Sequence, residues 1–237
     1  MFWTMDWHHM LYVVLPMMLI GAAAQAWVKL AYSKYSQIKN SKGITGREAA
    51  YVVLRTNGIQ NVEIEPVEGF LSDHYSSSEK VLRLSPENYN GTSIAAVAVA
   101  AHEAGHAVQD ARGYAPLVIR NFAVPMANIG SSFGYIAIIL GMAMTRNPQN
   151  TLSIIGLMLI GAVALFQLIN LPVEIDASRR ALQVLPGIGI LSEEENRGAR
   201  TMLTAAAFTY VAATIAALWE LLYWAMRMGL IGGRSRD

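Results

Sequence analysis

The sequence predicts a mainly α integral membrane protein, with about four transmembrane helices and a small α+β region that holds a short antiparallel sheet. Three observations predict it. The 237 residues are 54% hydrophobic and only 15% charged, which is on the membrane side of the globular norm. The apolar excess is gathered into four nearly uncharged stretches long enough, or almost long enough, to cross a bilayer. Between the first and second of these lies a polar region with alternating, strand-like runs, and it ends in an alanine-rich helix that carries two histidines.

The first stretch covers residues 8–28 and closes an N-terminal segment, 1–28. No basic residue precedes it and no small-residue cleavage pattern follows, so it reads as an anchor and not as a removed signal peptide. Residues 29–128 form the α+β region. Its start, 29–44, is polar and basic, a juxtamembrane connector. Thr45-Gly46-Arg47-Glu48 then matches a capping box, and Asn57-Gly58 stops the short amphipathic helix that follows. Alternation at Val62-Glu63-Ile64-Glu65 and at Lys80-Val81-Leu82-Arg83-Leu84-Ser85, with Gly69 to Tyr75 between, predicts three antiparallel strands. An exposed edge strand there could take up an extended peptide by strand addition.

Two further stretches, 129–145 and 152–170, flank the turn Arg146-Asn147-Pro148-Gln149-Asn150 and read as a membrane hairpin, 129–170. Pro172 suits the start of a new helix within 171–201. The last segment, 202–237, holds a fourth span over 202–226. Trp219 and Trp224 lie near its end in the manner of an interfacial belt, and Glu220 is an unexpected charge inside it. Fourteen of the 18 basic residues lie between the first and second spans or between the third and fourth. Arg146, Arg227, Arg234 and Arg236 are the remainder, so the two larger segments are expected to face the cytoplasm. The absence of cysteine agrees with a reducing compartment, and a net charge of +1 gives no footprint for nucleic acid.

The chemistry is concentrated in His102-Glu103-Ala104-Gly105-His106. Thr92 and Ser93 offer caps, and Ile94 to Ala101 are helix formers, so the motif lies on a helix. His102 and His106, four apart, share a face and can bind one ion. Glu103 lies about a hundred degrees round the axis, placed to touch a water and not to become a ligand. Such an arrangement suits a zinc hydrolase with one catalytic ion and Glu103 as general base. Two imidazoles leave that site short of a third ligand. Of His8, His9, His74 and the carboxylates after the hairpin, Glu174 is the choice, because the hairpin returns the chain to the same face just before it. It shares a face with Ser178 while Asp176 points elsewhere. Asp176 and His74 stay open as alternatives. His74 is also a candidate catalytic residue that donates to a developing oxyanion, with a local turn pair at Asp73-His74 as the competing reading.

The motif Ala101-His102-Glu103-Ala104-Gly105-His106-Ala107, the earlier Asp73-His74-Tyr75 with Val81-Leu82-Arg83-Leu84-Ser85, and the later Pro172-Val173-Glu174-Ile175-Asp176-Ala177-Ser178-Arg179-Arg180 together resemble the YugP-type family of membrane zinc metallopeptidases. The resemblance covers nearly the whole chain. It implies a multi-pass, neutral zinc-dependent peptidase of the bacterial cell membrane. More distantly, the layout is similar to the HtpX and CAAX-protease type of membrane gluzincin, where a hairpin separates the two histidines from a Glu-x-x-x-Asp element. Glu174 matches the glutamate ligand of that element, but Ser178 stands at its aspartate. Orientation of a histidine is thereby left to Asp176 or another group.

The expected activity is endopeptidase cleavage of membrane or membrane-associated proteins at a cytoplasm-facing site, with peptide and lipid bilayer as partners. An oligomer or a membrane partner is compatible with it. The competing class is a membrane scaffold that keeps zinc for stability; such a site would fill all four positions with protein ligands.

Overall fold

A computed structural model describes residues 7–145 and 147–232, so the orientation assigned through Arg146, Arg234 and Arg236 rests partly on residues outside the described ones. In chain order the elements are α1 (Trp7–Ser36, with a π-helical turn at Met10–Val14), α2 (Gly46–Thr56), β1 (Glu63–Pro66), β2 (His74–Ser76), β3 (Val81–Leu84), α3 (Pro86–Tyr89), α4 (Ile94–Ala111), α5 (Ala115–Met144), α6 (Thr151–Gly187) and α7 (Glu193–Arg227). The fold is mainly α. Helices α1, α5, α6 and α7 are each long and apolar enough to cross a membrane.

These four helices outrun the expected spans. At about 1.5 Å per residue they reach roughly 45–55 Å, against a hydrocarbon core of ~30 Å. Helix α5 begins at Ala115 instead of residue 129 and passes through Pro125; α7 begins at Glu193 instead of 202. Pro172 does not start a helix, since α6 runs unbroken through it to Gly187. A proline inside a helix removes one backbone hydrogen bond, here to the carbonyl four residues earlier, and a long packed helix absorbs that loss. The segment bearing Glu174 therefore belongs to the same helix as the third span and is not a separate element.

Residues Ala24–Val118 and Pro172–Thr209 form one compact unit. Its core is α4, whose alanines are almost all fully buried. Around them pack Val53 and Leu54 of α2, Leu82 and Leu84 of β3, and Ala181 and Leu185 of α6. Small side chains let neighbouring elements approach the α4 backbone closely. The helix starts where expected, with Ser93 Oγ accepting from Ala96 N, and the capping box of α2 is present with Thr45 and Glu48 bonded reciprocally. The sheet is mixed and not antiparallel. Its order is β1-β3-β2, with β2 antiparallel and β1 parallel to the central β3. The short turn between β2 and β3 permits only a hairpin, whereas the chain between β1 and β3 detours through β2, long enough to bring β3 back parallel to β1.

The described residues of Met1–Ala23, Ile119–Leu171 and Tyr210–Asp237 form the second unit. Helices α5 and α6 touch backbone to backbone there, where a Cβ on Gly156 would lie 2.6 Å from the Gly134 carbonyl. The charge inside the last span is met within the unit. Glu220 Oε1 lies 2.7 Å from His9 Nε2 and accepts from Trp224 Nε1 at 2.6 Å. Trp224 is 7% exposed, while Trp219, 46% exposed, donates to the Tyr12 carbonyl.

Candidate metal centre

The helix that ends in the motif presents His102 and His106 on one face, one turn apart, with ring centroids 4.8 Å from each other and planes nearly perpendicular. Helix α6 crosses beside them at Gly105, where an added Cβ would lie 2.7 Å from the Ala177 carbonyl oxygen. Only glycine permits that approach. It brings Glu174, one turn before Ser178 on α6, against the histidines: Glu174 Oε2 lies 3.4 Å from His102 Nε2 and 3.6 Å from His106 Nε2. The three form the one group of possible metal ligands of this kind among the described residues.

The separations are the test of fit. Zinc bonds of about 2.0–2.2 Å at tetrahedral angles place neighbouring ligand atoms roughly 3.3 Å apart. Two imidazole nitrogens and a carboxylate oxygen at 3.4 and 3.6 Å match that edge with only a small contraction. The set is also chemically apt, with borderline nitrogen donors and one anionic oxygen. Burial raises what is at stake: the Glu174 side chain is 3% exposed and that of His106 is 9% exposed. A charged cluster so enclosed is costly without a compensating charge, and a cation supplies one.

Each histidine is held from behind. Ser178 Oγ lies 3.0 Å from His102 Nδ1. His106 Nδ1 lies 3.0 Å from Gln109 Oε1, and the Gln109 amide nitrogen donates to the Val173 carbonyl at 2.8 Å and to Asp176 Oδ2 at 2.9 Å. Arg180 Nε donates to the same Asp176 oxygen at 2.5 Å. Asp176 therefore points away from the ligand cluster, as its helix position implied, but connects to it through Gln109. Sequence reasoning did not reach Gln109. A polar residue one turn beyond His106 on the helix that carries the motif was the available signal.

Electrostatics couple the cluster. Burial pulls the His106 imidazole down, but the Glu174 hydrogen bond and the charges of Glu103 and Glu174 outweigh it and raise its pKa above the ordinary value in the metal-free chain. Glu103 is 9% exposed and follows His102 on the same helix, so its carboxylate acts on the site without being among the three converging groups. His74 is not brought to the cluster. It is exposed on β2, with Nδ1 2.8 Å from the Ser72 carbonyl. Its neighbour Tyr75 reaches inward to Asp110 of α4 at 2.6 Å, which turns His74, paired in register with Arg83, to the other sheet face. Asp73 does not serve a local turn but accepts from Ser85 and Asn88 at the start of α3, 12 and 15 residues further on.

A family model described as "Putative neutral zinc metallopeptidase" matches residues 10–229. The chain belongs to the neutral zinc metallopeptidase family. It is 41% identical over 221 residues to "Putative membrane protease YugP" of Bacillus subtilis (strain 168), which covers 92% of this chain and 96% of that protein. No solved structure matches the chain. As a member of the family it joins a zinc-type ligand cluster to four helices fit to cross a membrane.

Proposed function

We propose that the chain is a membrane-bound zinc endopeptidase that cleaves membrane or membrane-associated proteins, with one ion held by His102, His106 and Glu174 and with Glu103 as general base. The observation that carries the reading is the convergence of His102 Nε2, His106 Nε2 and Glu174 Oε2 at separations suited to zinc, beside a carboxylate outside the ligand set. Zinc, when bound, acidifies a water to a pKa of about 7 and polarises a carbonyl. Three protein ligands leave the fourth position for that chemistry.

Glu103 takes a proton from the attacking water and delivers it to the departing amine nitrogen, a task a carboxylate near the reacting atoms performs in both directions. Ser178 and Gln109 keep the imidazole rings aimed while this happens. The substrate backbone is held extended along the edge strand β2, which Tyr75 and Lys80 tie to Asp110 at the end of the motif helix. The polar end of α6 and the surrounding basic residues support a site on the cytoplasmic side of a bacterial cell membrane. His74, on the outer face of the sheet, takes no part in this scheme.

The test is Glu103→Gln in detergent-purified protein. Zinc content should stay near one per chain while proteolysis of an unfolded membrane protein is lost. Loss of zinc in that variant would remove Glu103 from the role of base. Parental protein that binds zinc but cleaves nothing would favour the scaffold class instead.

A further inference from the structure

We infer that Gln109 is a positioning residue that locks His106 in its metal-binding tautomer, and that the Asp176–Arg180 pair acts on the site only through the Gln109 amide. The inference rests on the zinc reading above. Donors and acceptors around Gln109 decide it. The Gln109 amide nitrogen has two hydrogens, and two groups claim them: the Val173 carbonyl and Asp176 Oδ2, both able only to accept. The amide cannot turn over without setting its oxygen against two other oxygens.

Oε1 is thereby directed at His106 Nδ1, and an amide oxygen only accepts. The hydrogen of the neutral imidazole must then sit on Nδ1, which leaves the Nε2 lone pair facing Glu174 and the ligand cluster. Arg180 holds Asp176 from the far side, so the donors converge on that carboxylate: Arg180 and Gln109 both donate to Asp176, and His106 donates to Gln109. Gln109 is fully buried, so water cannot take over any of its three bonds.

His102 is held differently. Its partner Ser178 carries a hydroxyl that can donate or accept, so it fixes the ring without dictating the tautomer. The two histidines are thus unequal: the neutral His106 ring has a single tautomer open to it, and His102 adapts. Asp176, two positions before Ser178, orients a ligand through an intervening amide.

The experiment measures zinc affinity by chelator competition in detergent-purified full-length protein, with cobalt(II) absorption as a second readout. Gln109→Met, which keeps the bulk and deletes the bonds, should weaken zinc about 10–100-fold. At saturating cobalt its d–d bands should differ from those of the parent, a change that a packing role alone would not produce. Should the methionine variant fail to fold, Gln109→Asn, whose shorter side chain cannot span to His106, should give the same two results. Asp176→Ala should weaken zinc by about 3–10-fold in the parent and by less than about twofold in the Gln109→Met background, because its route to the metal is already cut. Parental affinity or a parental cobalt spectrum in the Gln109 variants, no effect of Asp176→Ala, or an additive loss in the double variant overturns the inference. Glu174→Ala run alongside separates the levels: unchanged zinc affinity there sinks the ligand assignment itself and not the role of Gln109.

Discussion

Gly105→Ala sets helix propensity against tertiary geometry. Gly105 is the fourth residue of the motif and lies within a regular helix, so an alanine should stabilise that helix by about 1 kcal/mol on propensity alone. The structure reverses this. The new methyl carbon would lie 2.7 Å from the Ala177 carbonyl oxygen, and also 3.2 Å from that residue's carbonyl carbon and Cα, all backbone atoms of α6 that cannot rotate away. Ordinary contact begins near 3.4 Å, so α4 and α6 must separate by about 0.7 Å at this point. Overpacking of this kind costs about 1–3 kcal/mol. The larger effect falls on the site. Gly105 sits between His102 and His106, and Ala177 lies three residues beyond Glu174. A comparable outward shift carries Glu174 Oε2 from 3.4 and 3.6 Å to about 4 Å from the imidazole nitrogens, beyond the roughly 3.3 Å edge that zinc spans. Zinc affinity should therefore fall about 100-fold, while metal-free stability falls by no more than about 2 kcal/mol, the propensity gain offsetting part of the strain. Chelator competition and thermal unfolding in EDTA measure the two quantities. A variant that binds zinc within about threefold of the parent and melts higher would refute the claim that backbone approach at Gly105 sets the site.

Two further outcomes follow from the same geometry. In the metal-free protein the His106 pKa is raised by Glu174 and Glu103 against the pull of burial, so folding binds a proton there that the unfolded chain releases near pH 6.5. That stabilisation is complete below about pH 6.5 and lost as pH rises through the raised value. The melting temperature in EDTA should fall from pH 6 to pH 8, whereas zinc affinity should rise over the same interval as the competing proton leaves; a rise of the EDTA melting temperature would contradict the coupling. His74→Ala removes a residue on the outer face of the sheet, so kcat/KM should change by no more than about twofold, the effect of an ordinary surface substitution. A loss of about 100-fold would return the oxyanion role to His74.

Local signals carried much of the site. The His102–His106 spacing needs only helical periodicity, and the caps at Thr45 and Ser93 are short-range patterns that the structure reproduces. Membrane spans were legible as apolar runs, but their ends were not, because proline and charge look like stops. Helix α6 carries both, Pro172 and then Glu174, Asp176, Arg179 and Arg180, without breaking. Pairing within the sheet was misread for a related reason. Alternation identifies strands and faces, but it contains nothing about direction, which depends on the route of the connecting chain.

The sequence by itself determined that a helix could present two imidazoles to one ion, that a carboxylate followed the first, and that four stretches could enter a membrane. Each of these is a property of residue type at a fixed local spacing. Tertiary structure decided what completes and aims the site. It brought Glu174 to within 3.6 Å of both imidazoles, placed Ser178 behind one and Gln109 behind the other, and turned His74 away. The Glu174 and Ser178 contacts join residues some 70 positions apart, and they depend on two backbones meeting at Gly105 and Ala177, a contact that no local pattern encodes.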